Sequence, residues 1–391
     1  MIPSKELMNR IKNLQQALQQ KEINLAILVQ RADLFYFSGT GQDAHLLVPA
    51  DGEPILVVKR SLSRATQESA LEKIVPFKGW GDLKNLIAGL APQSAKIGLE
   101  LDVIPVNTFN RYLKLIDGYE PVDLSASIRL IRSIKSAYEI AQMKQAATIS
   151  KEIFTHAAEI IREGLSEVDL SAALEHKART LGHQGAVRMR GFNQELYYGH
   201  IMSGDNAASV SFFDGPTGGS GLNPSYPQGA GRHKIKKHEP VLVDFVSIYE
   251  GYMVDQTRIF SIGHLKPHLE KAYEESVKIK NRLAGEGKPG VSGSSLFLLA
   301  ENLAAQAGLA NHFMGYTEKV SFVGHGVGLE LDEMPVIARG LDFNLAEGMV
   351  FALEPKFIFP GEGTVGIEDT FVVGCSRLEQ LTLLDDKLII I

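Results

Sequence analysis

The 391-residue chain has a single cysteine, Cys375. One thiol excludes a disulfide framework and a thiolate metal cage, and it fits a reducing compartment. Long apolar runs are also missing. The run behind the first helical segment, Leu25-Ala-Ile-Leu-Val29, is too short for a signal-peptide core or a membrane span, so a cytoplasmic protein without membrane contact is expected. Basic charge is not in excess: 40 Lys+Arg stand against 46 Asp+Glu, a net −6, which gives no field for nucleic acid. No Gly-x-x-x-x-Gly-Lys-Ser/Thr loop occurs, and no Gly-x-Gly-x-x-Gly leads from a strand into a helix, which removes the usual nucleotide sites. No Gly-x-Ser-x-Gly elbow occurs, and Cys375 has apolar, strand-like neighbours, so neither a serine nor a cysteine nucleophile is expected.

What is present is the material of two α/β domains. Residues 1–127 alternate helix and strand patterns. Ser4–Gln20 carries Leu7, Ile11, Leu14 and Leu18 at helical spacing, and Leu25–Val29, His45–Val48, Ile55–Val58 and Ile97–Glu100 read as strands. Nothing here clusters ligands or a nucleophile, so scaffold and subunit contact is the reading for this half. The segment Ser125–Lys135 lacks Gly and Pro and leads into a long helix from Ala137. The boundary falls within 127–136, giving domains of 1–130 and 131–391. Ser166 caps a second helix, with Glu167 and Asp169 near its positive end. Gly215–Gly231 holds six glycines and three prolines. It must be an extended loop, long enough to have a functional or subunit-contacting role. Beyond residue 240 the pattern turns to hairpins: Val241–Tyr249 with Tyr252–Ile262, and Met349–Phe359 with Thr364–Val373, separated by two helices and a strand at Val320–Val323.

The hairpins bring carboxylates together. If Glu250-Gly251 is a two-residue loop, Tyr249 faces Tyr252, Val246 faces Asp255 and Asp244 faces Thr257. Alternation then puts Asp244 and Asp255 on one face, on a cross-strand diagonal among apolar neighbours. Two carboxylates so placed raise each other's pKa unless a cation lies between them. In the second hairpin an odd loop such as Pro360–Glu362 places Glu354 opposite Glu368; an even loop places them on opposite faces unless a bulge intervenes, and Pro355 permits one. His325 lies in Gly324-His-Gly-Val-Gly328, where flanking glycines let the backbone approach a centre closely. Four carboxylates balance two divalent cations, and oxygen ligands with one imidazole suit Mn, Co, Fe or Zn. Two such ions about 3.5–4 Å apart share a bridging water, lower its pKa and polarise a carbonyl. Amide hydrolysis needs no protein nucleophile there.

The segments Val241-Leu-Val-Asp-Phe245, Gly251-Tyr-Met-Val-Asp-Gln-Thr-Arg258, Gly324-His-Gly-Val-Gly-Leu-Glu330, Met349-Val-Phe-Ala-Leu-Glu-Pro355 and Gly366-Ile-Glu-Asp369 resemble the M24 metallopeptidases, in order and in spacing. Tyr36-Phe-Ser-Gly39 and Ile128–Lys135 resemble the creatinase/prolidase N-terminal domain. The resemblance implies an N-terminal α/β domain, a C-terminal pita-bread domain with a curved antiparallel sheet and outer helices, and a homodimer. It implies two ions per chain, Mn or Co foremost. Asp255 and Glu368 would bridge them, Asp244 would hold one, and His325 with Glu354 the other. Glu354 would double as proton shuttle.

Departures from the family pattern fall around the substrate. Asp332-Glu333 replaces a His-Glu pair, Ser203-Gly-Asp-Asn is not followed by the family's histidine, and Gly366 replaces an arginine. His200, Tyr197 and Tyr198 are candidates to compensate, and Arg188 with Arg190 to bind a substrate carboxylate. A salt-bridged structural role is the other reading for the arginines, and a position outside the cleft the other reading for Asp332. The expected activity is cleavage of short Xaa-Pro peptides. The alternatives are a non-peptidase relative acting on a small C–N or C–S substrate, and a binding protein with the same fold.

Overall fold

The short apolar runs of the N-terminal third assemble into one mixed sheet. Its strands are β1 (Leu25–Leu28), β2 (Ala44–Pro49), β3 (Ile55–Val58), β4 (Ile74–Pro76), β5 (Lys96–Leu99) and β6 (Glu120–Asp123), in the order β4-β3-β2-β1-β5-β6. β1, β2 and β3 pair antiparallel, and the outer neighbours pair parallel. All residues of β1, β2 and β3 are buried, as expected of central strands covered on both faces. Helix Ser4–Gln20 buries Leu7, Ile11, Leu14 and Leu18, its apolar stripe. The computed structural model describes every residue of the chain except Asp342. It divides into two compact units, Met1–Arg132 and Ser133–Ile391. Ser125–Ser133 forms a helix of its own instead of running into the next one.

The second unit opens with helix Ala137–Ile160, which starts at a complete capping box between Ser136 and Glu139. Helix Glu167–Thr180 is capped by Ser166, which accepts from Asp169 N. Both pack on β7 (Ile201–Ser203), β8 (Val241–Tyr249) and β9 (Tyr252–Ser261) through a core that includes Phe154, Leu170, Leu174, Phe245 and Phe260. Glu167 does more than complement a helix end. Its buried carboxylate accepts from Ser203 N at 2.6 Å, Asn206 Nδ2 at 2.6 Å and Gly231 N at 2.8 Å. It thereby ties the C-terminal end of the glycine-rich loop, at Gly231, to β7.

Helices Pro267–Glu286 and Gly293–Gln306 cover a second sheet in the same way, around Phe297, Phe351, Leu353 and Phe371. Its strands are β10 (Phe322–Val327), β11 (Leu331–Ala338) and β12 (Val350–Leu353), with β15 and β16 beyond the two-stranded ribbon of β13 (Lys356–Phe359) and β14 (Gly363–Gly366). β15 is Asp369–Val373, β16 is Leu378–Gln380, and β17 (Ile389–Ile390) returns to pair with β9. The arms expected as single strands, 349–359 and 364–373, each break, because Pro355 has no N–H to give the ladder. β10 runs on through His325, and β11, absent from the sequence reading, pairs with it. Cys375 follows β15 and is exposed, not a strand residue. Among the described residues no helix is long and apolar enough to cross a membrane.

Candidate metal centre

Glu250 and Gly251 have φ of 49° and 87°, the two left-handed residues of a type I′ turn. The turn fixes the register: Tyr249 faces Tyr252, Val246 faces Asp255 and Asp244 faces Thr257. In the second hairpin Phe359 faces Gly363, so the loop Pro360–Glu362 is odd, and Lys356 faces Gly366. Leu353 faces Asp369 on the far side of the break, which keeps Glu354 and Glu368 opposite one another in the same register. A bridge between Thr257 and Glu368 joins the two hairpins. Thr257 Oγ1 donates to Glu368 Oε2 at 2.8 Å, and Arg258 Nη1 donates to Glu368 O at 2.9 Å.

His325 enters from β10. Its flanking glycines answer to the neighbouring strands: a Cβ on Gly324 would lie 2.4 Å from Ala352 O, and one on Gly326 2.5 Å from Glu333 O. The ring's Nε2 lies 3.4 Å from Glu368 Oε1, 3.6 Å from Glu354 Oε1 and 3.8 Å from Asp255 Oδ2. Behind the ring, Asp332 Oδ1 is 3.3 Å from Nδ1, an ion-pair contact without an aligned hydrogen bond. Asp332 is on β11 at a register shift, with φ of 61°, so it is the bulged residue whose side chain the ladder leaves free to turn inward. Glu333 faces the other way, accepting from Glu330 N at 2.9 Å and lying 3.3 Å from Lys135 Nζ.

The sequence reading missed Lys356. Its stem is buried, and its Nζ lies 3.0 Å from Asp244 Oδ2, 2.8 Å from Glu354 Oε2 and 2.9 Å from Glu368 Oε2. The signal was available: 354 and 356 share a strand face, and the residue opposite 356 is a glycine.

Three oxygens or nitrogens remain buried without a hydrogen bond here: Asp255 Oδ1, Glu368 Oε1 and His325 Nδ1. Asp255, His325 and Glu368 each offer a ligand atom, all within 4.8 Å of one another. Burial, reinforced by Glu368 and Asp244, pushes the Asp255 carboxyl well above its usual range. Burial and Glu368 push Glu354 up to about 7 against the pull of Lys356. Burial acts on Glu368 too, but Lys356 and His325 outweigh it and bring that carboxyl down to about 2. Desolvation opposes charge on Lys356, yet Asp244, Glu354 and Glu368 hold its pKa well above normal. The donor set is nitrogen and oxygen, suited to Mn, Co, Fe or Zn.

These residues line a cleft of about 40 Å³ together with His200, Asp332, Leu331, Phe322 and the segment Phe213–Thr217. A second cavity of about 300 Å³ adjoins it through Leu196, Gly199 and His200, and is walled by Tyr197, Tyr226 and Leu222. His200 is buried against Phe213, with ring centroids 4.9 Å apart, and desolvation lowers its pKa against the pull of Asp244. Tyr198 packs on His183 and Phe245 instead of reaching the cleft. Arg188 is not among the cleft's lining residues: its carbonyl accepts from Leu331 N at 2.8 Å. Arg190 lies 3.6 Å from Glu330, the structural reading of that arginine.

Residues 141–374 match the model of metallopeptidase family M24, and residues 10–134 that of the creatinase/prolidase N-terminal domain. The chain belongs to metallopeptidase family M24. It is a metal-dependent hydrolase with a creatinase-type N-terminal domain and a pita-bread catalytic domain. A Xaa-Pro dipeptidase of Pyrococcus horikoshii is 24% identical over 388 residues, covering 98% of this chain and 100% of the relative. The solved Xaa-Pro dipeptidase from Bacillus anthracis superposes with a TM-score of 0.84 at 25% identity, covering 98% of this chain and 100% of that one. An X-Pro aminopeptidase from Thermotoga maritima shares the fold, with a TM-score of 0.79 at 24% identity over 94% of this chain and 98% of its own. Against the family's divalent-metal dependence, Asp255, His325 and Glu368, whose ligand atoms converge, provide for one ion. The position between Asp244, Glu354 and Glu368 is filled by the lysine ammonium, so the pair of ions expected from charge balance does not fit as the side chains stand.

Proposed function

We propose that this M24 member hydrolyses the bond before proline in short peptides, with a divalent ion held by Asp255, His325 and Glu368. The observation that carries the metal site is the convergence of three buried ligands, each offering one ligand atom within 4.8 Å of the others. The Xaa-Pro dipeptidases that the chain resembles supply the substrate class. A bound ion polarises the scissile carbonyl and acidifies water. Glu354, with its pKa up to about 7 in the metal-free protein and its place in the cleft, takes the proton of the attacking water and returns it to the departing nitrogen. Lys356 holds Glu354 by one oxygen and leaves the other toward the ion site. Asp332 holds the imidazole from behind, as a carboxylate does for a metal-ligating histidine. His200 walls the passage between the small cleft and the larger cavity, which receives the rest of the peptide.

The test is turnover of metal-reconstituted protein on a panel of Xaa-Pro dipeptides, Xaa-Pro tripeptides and matched peptides without proline. Cleavage of Xaa-Pro members alone is expected; cleavage indifferent to proline, or none with the ion bound, rejects this substrate class. A second reading, a small non-peptide amide as substrate, is favoured by the narrowness of the cleft, which the segment Phe213–Thr217 rims. Turnover of small amides without turnover of any peptide would select it.

A further inference from the structure

We propose that Lys356 is a resident cation that takes the place of the second metal ion, so that each chain binds one divalent ion and not two. The inference rests on the metal-dependent reading above and concerns only how the positive charge is supplied. An ammonium has three N–H donors, and Lys356 Nζ has three carboxylate partners, at 2.8, 2.9 and 3.0 Å. Its donors are fully used by Asp244, Glu354 and Glu368, the carboxylates that a metal at this place would need.

Glu368 shows how the cluster is divided. Its Oε2 accepts from Lys356 and from Thr257 Oγ1, whereas its Oε1 has no hydrogen-bond partner and faces His325. Glu354 is split likewise, Oε2 to the lysine and Oε1 toward His325. One oxygen of each glutamate therefore serves the ammonium and the other serves the ion site. Charge allows the arrangement: four carboxylates accept one ammonium and one divalent ion. A second divalent ion among Asp244, Glu354 and Glu368 would have to displace the ammonium, which already holds an oxygen of each at 2.8–3.0 Å.

The opposite strand makes room for the lysine. Gly366 is the register partner of Lys356, and a Cβ there would come within 2.7 Å of Lys356 Cα and Cγ. Pro355 O lies at the same 2.7 Å, so Gly366 answers to the close approach of the two backbones as well as to the lysine stem that passes there.

The experiment is metal stoichiometry of the full chain after reconstitution with Mn²⁺ and dialysis, read by elemental analysis and by electron paramagnetic resonance. Wild type should hold about one Mn²⁺ per chain with a mononuclear spectrum. Lys356→Ala, checked for fold by circular dichroism, should take up about two and show an exchange-coupled spectrum. Lys356→Met, which keeps the length but not the charge, is the second variant, and it too should bind more than wild type. Two ions in wild type, or a folded Lys356→Ala that stays at one, overturns the role of the lysine while leaving the metal-dependent reading intact. No bound ion in wild type overturns both. If both variants fail to fold, the wild-type stoichiometry and spectrum decide alone.

Discussion

Two buried charge clusters lie side by side in the second unit, one on each side of the bond between residues 368 and 369. Around Asp369 every charge is answered. Arg258 Nη2 donates to both carboxylate oxygens at 2.9 and 3.1 Å, and Lys280 Nζ, Gln256 Nε2 and Thr382 Oγ1 complete the shell at 2.7, 2.8 and 2.7 Å. Around Glu368 four carboxylates meet one lysine and one histidine, and three buried polar atoms stay unpaired. Both clusters bear the desolvation cost of buried charge, but only the first offsets it completely with protein groups. The difference separates a structural clamp from a site built to take something in. Asp369, locked by five hydrogen bonds from four side chains, holds β15 so that Glu368 can afford to be incompletely satisfied.

The largest expected effect falls on the incomplete cluster. Glu354→Gln removes the group that carries the proton but leaves the amide oxygen in place, so turnover should fall by about 10²–10⁴-fold. Elemental analysis should show the metal retained. Activity within a few-fold of wild type would deny Glu354 its role.

Breaking the complete cluster should act on stability instead. Arg258→Leu leaves Asp369 short of its bidentate partner in the interior, at a cost of about 3–5 kcal/mol in denaturant unfolding. A loss below about 1 kcal/mol would mean that Lys280 alone suffices and that the clamp is redundant.

A third buried group shows that an orphaned atom is not by itself a ligand. His45 on β2 is fully buried with both ring nitrogens unpaired, yet its ring neighbours are Phe77, Trp80 and Tyr112, and among the described residues it belongs to no group of metal-ligating side chains. Burial, with Lys59 nearby, lowers its pKa to about 3. The folded state thus binds its proton less readily than the unfolded chain, whose value is near 6.5. The stability from neutral His45 is complete above pH 6.5 and is lost as the pH falls toward 3. Between pH 6.5 and 4.5 the loss should be about 2–3 kcal/mol. His45→Leu should be as stable as wild type at pH 7 and should lack this His45-dependent part of the acid sensitivity. An unchanged pH profile in the variant would place the acid sensitivity elsewhere.

How much of this the sequence disclosed follows from what fixes each feature. The hairpin registers were legible because a period of two and a loop length determine them: Glu250-Gly251 specifies the first, and Pro360–Glu362, among the loops considered, the second. The convergence of Asp244, Asp255, Glu354 and Glu368 follows from those registers, and the family motifs brought in His325. Lys356 was not read, because whether a long stem turns toward its strand neighbours or toward water depends on the room opposite, and that room is Gly366. β11 was not read either. Its inward positions include Glu333 and Pro335, which break the apolar alternation by which a strand is recognised. Arg188 is a candidate substrate ligand from its spacing to Arg190 and from the glycine at 366, and neither says which cavity that backbone segment borders.

Asp332 shows how small a change the comparison can register. Its carboxylate touches His325 Nδ1 from a bulge, in a left-handed conformation that aspartate and asparagine tolerate better than other residues with a side chain. Asp332→Asn therefore keeps the bulge and the shape while removing the charge behind the ring. If Asp332 orients the imidazole, metal affinity should fall by about 10–100-fold, the usual effect of losing such a partner. Saturating metal should then restore most of the turnover, because the ligand itself remains. If Asp332 instead contacts the substrate, affinity for the ion should be unchanged, and the loss should appear in KM at every metal concentration. A titration of Mn²⁺ binding by calorimetry beside steady-state kinetics separates the two. Unchanged ion affinity in the variant rejects the orienting role.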